Sequence, residues 1–223
     1  MCQHKEMRNL LLFGLFLLLV IIVLSTVHFR KDGQMIALRN WIGTKLTRIE
    51  RARGKSKLNK LKAKKLIDIV LDASEAAGIR MFVSEGTALG AVRQQDFIDD
   101  DTDIDFGFLP QDLEVYRNQV IPQIVSSGMV LIKNSDRPTK CLQTYHKEGE
   151  SVDIHMWAPG MECPDVPGPC DVLLPLLEPF QEVTLAGRKV WAPSNAYLEF
   201  LYGKDYLTPK PRFKPSQLDR STD

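Results

Sequence analysis

The sequence predicts a mixed α/β domain built on one sheet, preceded by a single N-terminal transmembrane helix. Three observations predict it. From residue 58 to residue 210, segments with apolar residues at helical spacing alternate with short runs of period-two alternation, the pattern of helices interleaved with strands. The 223 residues, 44% of them hydrophobic, suffice for one globular domain of ordinary size plus a short appendage. Leu10 to Val27 supplies that appendage: 18 residues without a charge, just long enough to span a bilayer as a helix.

Residues 1–9 read as a short cytoplasmic tail. The span itself reads as an uncleaved signal anchor, flanked by Lys5 and Arg8 before it and Arg30-Lys31 after it. Its apolar core exceeds the roughly 7–15 residues of a cleaved signal peptide, and Val23-Leu24-Ser25 makes a poor cleavage site. Residues 28–57 read as a basic stem, with Trp41-Ile42 its notable apolar pair and Gly54-Lys55-Ser56-Lys57 a break before the folded domain. The overall charge of +1 hides an asymmetry. Between Arg30 and Lys65, 13 Lys/Arg face only Asp32 and Glu50, a balance of +11; from Leu66 onward 14 Lys/Arg face 25 Asp/Glu, a balance of −11. An acidic domain is a poor fit to nucleic acid, so none is expected as a partner. Anionic substrates would need a bound cation or specific Arg and Lys groups.

Within the domain, residues 58–210, Leu58, Leu61, Leu66, Ile69, Val70, Ala73 and Ala76-Ala77 recur at helical spacing, and Gly78 supplies the stop. A strand over Arg80–Ser84 follows. It runs into a Gly86-Thr87 turn, and Ala88–Gln94 forms a short helix. Asp103–Leu109 reads as a half-buried strand, since Ile104, Phe106 and Phe108 alternate with polar or small residues. Pro110 opens a helix over Leu113–Ser126. Strands at Val130–Lys133, Lys140–Tyr145 and Val152–Trp157 complete the order α-β-α-β-α-β-β-β. Phe180–Leu185 and Lys189–Trp191 flank Ala186-Gly187-Arg188 as a hairpin, and Ser194 caps a helix over Asn195–Leu201 closed by Gly203. Residues 211–223 read as a loosely ordered tail.

The chemistry concentrates between Gly86 and Gly107. Residues i and i+2 of a strand share a face about 6.6–6.8 Å apart, which sets Asp103 and Asp105 side by side with Ile104 and Phe106 turned to the core. Two carboxylates so placed repel unless a cation lies between them, and a hard divalent ion with substrate phosphates is the usual occupant. Magnesium, or manganese, is the expected cofactor. Asp101 is a further candidate ligand. A calcium loop fails because Phe106 stands where the sharp turn needs Gly and Asp112 where Glu is required. At Gly86-Thr87, backbone N–H groups can approach a phosphate closely. Arg93 could pair with a phosphate, or else form a salt bridge on the helix surface. Asp153 alternates with Val152 and Ile154 and shares a face with His155. His146 and His155 are read as surface or structural residues outside the site.

These residues carry a resemblance. Gly86-Thr87, Gly90-Ala91-Val92-Arg93, Phe97-Ile98, the acidic run and Asp103-Ile104-Asp105-Phe106-Gly107 resemble the signature of the LicD/fukutin family. Ser151-Val152-Asp153-Ile154, Tyr197-Leu198-Glu199 and the block from Leu201 to Tyr206 with Pro209 extend it over roughly residues 60–210. The resemblance implies a nucleotidyltransferase-like mixed sheet with flanking helices. It implies a transferase moving phosphocholine or ribitol phosphate from a CDP-linked donor to a glycan hydroxyl. Asp103, Asp105 and Asp153 would be catalytic and metal-binding, and Gly86, Thr87 and Arg93 would bind substrate. The alternatives are a Golgi glycosyltransferase using a nucleotide-sugar, which the Gly-Thr lead-in disfavours, and an inactive anchored scaffold or glycan-binding protein, which three retained carboxylates disfavour.

Topology is read in two opposed ways. Arg30, Lys31, Arg39 and Lys45 after the span outnumber Lys5 and Arg8 before it, which by the positive-inside rule puts the domain in the cytosol. The resemblance implies a single-pass type II protein of the Golgi or ER with a luminal domain, and a short span suits that thinner membrane. The luminal placement is the expectation adopted here, although no Asn-x-Ser/Thr sequon marks it. Cys163 and Cys170 bracket a turn-rich Pro-Asp-Val-Pro-Gly-Pro loop that could close as a disulfide in an oxidising compartment. Zinc lacks a partner pair at suitable spacing, and Cys141 is expected buried and free.

Overall fold

The computed structural model describes residues 57–137, 139–163 and 170–209. The cytoplasmic tail, the transmembrane span, nearly all of the stem and the C-terminal tail lie outside the described residues. Among the described residues, no helix is long and apolar enough to cross a membrane.

Helix α1 (Lys60–Ala77) starts where the Asn59 side chain accepts the Lys62 N–H, and it ends at Gly78 with φ 71°. That left-handed C-cap favours glycine, which has no Cβ to clash. Its apolar stripe of Leu66, Ile67, Val70 and Leu71 is buried. Strand β1 (Phe82–Val83) leads into α2 (Glu85–Gln94). Strand β2 (Ile104–Phe108) is followed by a helical stretch over residues 110–126, here α3, which loosens to π geometry at Tyr116–Val120. Strands β3 (Val130–Arg137), β4 (Lys140–Lys147) and β5 (Glu150–Met156) form a meander. Then come α4 (Leu174–Leu177), the hairpin β6 (Gln181–Leu185) and β7 (Arg188–Ala192), and α5 (Asn195–Tyr202). The Ser194 hydroxyl caps α5 by accepting the Tyr197 N–H.

All seven strands join in one mixed sheet of order β3-β4-β5-β2-β1-β7-β6. Strand β2 runs parallel to β5 and antiparallel to β1, while β1 runs parallel to β7. One face carries Ile104, Phe106, Val152, Ile154 and Tyr145, all buried, and Tyr116 of α3 stacks on Phe108 with ring centroids 4.3 Å apart. Behind it, the Tyr116 and Tyr145 hydroxyls both donate to the Gln143 carbonyl oxygen, at 2.6 and 3.1 Å. Arg188 ties the β6–β7 hairpin to α1 through Asp68, Asp72 and Glu75. Cys163 and Cys170 form a disulfide with Cα atoms 4.8 Å apart, and Cys141 is buried and free.

Two expectations are corrected. The strand at Ile104–Phe108 is buried along its whole length rather than half-buried. It is central, and its second face is closed by Phe82 and Trp157: a Cβ on Gly107 would lie 2.7 Å from Trp157 Nε1. Gly86-Thr87 is also not a turn ahead of the helix. Both residues belong to the first turn of α2, which begins directly after Ser84.

Candidate active site

The site forms where β1 gives way to α2 at the edge of β2. The β1–β2 ladder ends at Val83, so the next groups of β2 must find other partners. Ser84 N–H donates to the Asp105 carbonyl at 3.0 Å, and Asp105 N–H donates to the Thr87 hydroxyl at 3.0 Å. The first turn of α2 thus continues the sheet and fixes the backbone of Asp105. Thr87, fully buried, is set against that backbone.

Glu85 begins α2 at φ 50°, in the left-handed region that a residue with a side chain adopts at a cost. Its N–H donates to the Tyr197 hydroxyl at 3.3 Å, which holds this bend from α5. The result brings the side chain inward. Glu85, Asp105 and His155, each buried, offer ligand atoms that lie within 4.8 Å of one another. Burial pushes the His155 imidazole down to about 3, with Lys140 and Lys133 acting the same way. It is therefore neutral near pH 7, the form whose ring nitrogen can ligate. Two carboxylates and a neutral imidazole, converging and shielded from water, form a donor set that could hold a metal ion.

Asp153 stands opposite Asp105 in the parallel β2–β5 register, and His155 opposite Gly107. Asp105 and Asp153 therefore share a face on adjacent strands, about 4.8 Å apart at the backbone. Asp103 precedes β2, is half-buried and accepts the Thr102 hydroxyl at 3.2 Å. Asp101 takes a different place: its carboxylate lies 2.8 Å from where a Cβ of Gly86 would stand, so only glycine admits it to the start of α2. Arg93 occupies the last turn of α2, about 12 Å along the helix axis from Glu85.

Sequence reasoning excluded His155, and the geometry reverses that: it belongs to the buried group. Glu85 was missed altogether. The only signal for it was an acidic residue between a strand and Gly86, and nothing in that spacing announces a left-handed backbone. His146, half-buried near the β4–β5 turn, stays outside the group.

A family model described as "LicD/FKTN/FKRP, nucleotidyltransferase domain" matches residues 78–195, more than half of the chain. The chain belongs to the LicD/FKTN/FKRP family. It is a transferase of that family, and the matched segment contains Glu85, Asp105, Asp153 and His155. No curated protein matches the sequence. Among solved structures, the chain is similar to a crystal structure of ANT(2'')-Ia in complex with adenylyl-2''-tobramycin. The identity is 17% over 63% of this chain and 76% of that one, with a TM-score of 0.45. A solution structure of ANT(2'')-Ia matches at 17% identity over 71% and 80%, with a TM-score of 0.39. A Thermotoga maritima protein described as a "putative nucleotidyltransferase" matches at 14% identity over 63% and 82%, with a TM-score of 0.42. In this LicD/FKTN/FKRP domain, the acidic groups and the start of α2 converge at the N-terminal end of the central strand β2, at Asp105.

Proposed function

We propose that this LicD/FKTN/FKRP transferase is membrane-anchored and metal-dependent, and moves phosphocholine or ribitol phosphate from a CDP-linked donor to a glycan hydroxyl. The observation that carries the reading is the buried Glu85–Asp105–His155 group with Asp153 beside it on the next strand. Phosphoryl transfer asks for positioning and charge neutralisation more than covalent chemistry, and this arrangement suits both.

Asp105, with Glu85 and His155 in reach, would hold a divalent ion, Mg2+ or Mn2+, with Asp103 and Asp153 as further carboxylates. When bound, the ion supplies charge neutralisation at the transferred phosphate. Thr87 keeps Asp105 in place through its backbone N–H. The backbone at Gly86 approaches the donor phosphates, and Arg93 serves as an additional phosphate contact. Asp153 takes the proton of the acceptor hydroxyl as its oxygen attacks the phosphorus bearing the alcohol. The new P–O bond forms while the bond to the nucleotide phosphate breaks, and CMP leaves with the electron pair.

The reading includes a type II anchor through Leu10–Val27 and a luminal domain in the Golgi or ER. The Cys163–Cys170 disulfide supports an oxidising compartment. Purified full-length protein incubated with a panel of CDP-alcohols, nucleotide-sugars and Mg2+ or Mn2+ tests the chemistry. Metal-dependent release of CMP from a CDP-alcohol is expected. Turnover of nucleotide-sugars alone would replace this reading with a glycosyltransferase.

A further inference from the structure

One register line crosses four strands and carries Lys133 on β3, Thr144 on β4, Asp153 on β5 and Asp105 on β2. Residues in register point to the same face. The neighbouring line on that face runs Ser135, Leu142, His155 and Gly107. Strands lie about 4.8 Å apart, so the backbones of Lys133 and Asp105 are about 14 Å apart along the line. An extended lysine side chain closes much of that gap. Between them, Thr144 is buried and presents a hydroxyl beside Asp153.

Charge decides what such a line can hold. Glu85, Asp105 and Asp153 bring three negative charges, and one divalent ion leaves the site still negative. A diphosphate entering there meets repulsion unless a second cation faces it. Lys140 lies on the same face but is engaged with Glu162 at 3.0 Å. Lys133 is exposed and makes no hydrogen bond or ion pair among the described residues. It is a cation held at the end of the site's own register line without a structural task.

We propose that Lys133 binds the nucleotide-side phosphate of a nucleoside diphosphate-linked donor, which lies along this line with its transferred phosphate over Asp105 and Asp153. The proposal rests on the donor class argued above. Lys133 would meet the phosphate that becomes the leaving group, and β3 would serve as the donor wall of the site. Because an ammonium acts as a point charge, arginine retains much of the attraction and glutamine removes it.

Calorimetric titration of full-length protein with CDP, in saturating Mn2+, tests this. Lys133→Gln is expected to weaken CDP about tenfold, Lys133→Arg to stay within about threefold of wild type, and Mn2+ binding alone to be the same in all three. Lys64→Gln, which removes an equal charge from α1, is the control and keeps wild-type affinity. Equal CDP affinity in wild type and Lys133→Gln overturns the proposal while leaving the donor reading intact. So does an equal loss in Lys64→Gln, which would make the effect one of net charge. If wild type binds Mn2+ but not CDP, the donor reading falls and this proposal with it. Lys133 is exposed on its strand, so equal thermal unfolding of the variants confirms that folding is not what changed.

Discussion

Glu85 pays a conformational cost to reach its neighbours. Its φ of 50° costs about 1–2 kcal/mol for a residue with a Cβ, and such strain concentrates where function needs it. Glu85→Gly relieves the strain and removes the carboxylate together. In EDTA its melting temperature is expected to equal or exceed that of wild type, while Mn2+ affinity falls at least tenfold. Unchanged Mn2+ affinity would remove Glu85 from the metal set. Asp105 and Asp103 make a second comparison. Asp105 belongs to the buried group, whereas Asp103 stands ahead of the strand and accepts a neighbouring hydroxyl. Asp105→Asn is expected to lower turnover by two orders of magnitude or more, and Asp103→Asn by clearly less. Equal losses, measured at saturating metal, would restore the symmetric pair that period-two spacing suggests.

At the scale of elements, β2 is a central strand whose two faces do different work. Ile104, Phe106 and Phe108 are buried in the core, Phe108 against Tyr116 of α3, while Asp105 and Gly107 face the site and the Phe82–Trp157 cluster. Gly107 lacks a side chain because the indole of Trp157 and the ring of Phe82 occupy that space. Gly107→Ala should therefore destabilise by about 1–3 kcal/mol through overpacking, read as an earlier urea midpoint at unchanged slope. A midpoint equal to wild type would mean that the cluster yields without cost. Sequence periodicity placed this strand within a residue at each end, and likewise α5 and the β6–β7 hairpin, while α1 starts two residues later than its apolar pattern, at Lys60. It could not show that the strand is covered on both faces, since the covering residues, Phe82 and Trp157, come from distant parts of the chain.

The whole molecule responds to pH and redox state through groups outside the Glu85–Asp105–His155 cluster. Burial pushes the Tyr145 phenol up to about 12, and burial likewise holds Tyr116 well above its ordinary value. The unfolded phenols ionise near 10. Stability is therefore full below pH 10 and is lost as pH rises from there through about 12. Alkaline unfolding curves should show this loss, and Tyr145→Phe should reduce it; a loss equally steep in that variant would place its origin elsewhere. The Cys163–Cys170 bridge spans a sequence separation of 7, and closing so short a loop is worth about 2–3 kcal/mol in the chain-entropy account. Reduction is expected to lower the melting temperature by several degrees. In sealed microsomes the luminal reading expects the domain to resist protease; digestion without detergent would put it in the cytosol.

Sequence alone determined the mixed α/β class, most element boundaries, the free Cys141 and the family, because each rests on local periodicity, capping residues or contiguous motifs. It also singled out Asp105 and Asp153 as neighbours in chemistry, and the register sets them on adjacent strands. Tertiary structure decided the rest. That Glu85 and His155 converge on Asp105, that Thr87 holds the Asp105 backbone and that Lys133 ends the same register line all depend on strand order β3-β4-β5-β2-β1. Strand order is set by packing between residues tens of positions apart, and a one-residue slip in register would turn strand side chains such as Asp105, His155 and Lys133 to the opposite face. No local pattern in the chain carries that information.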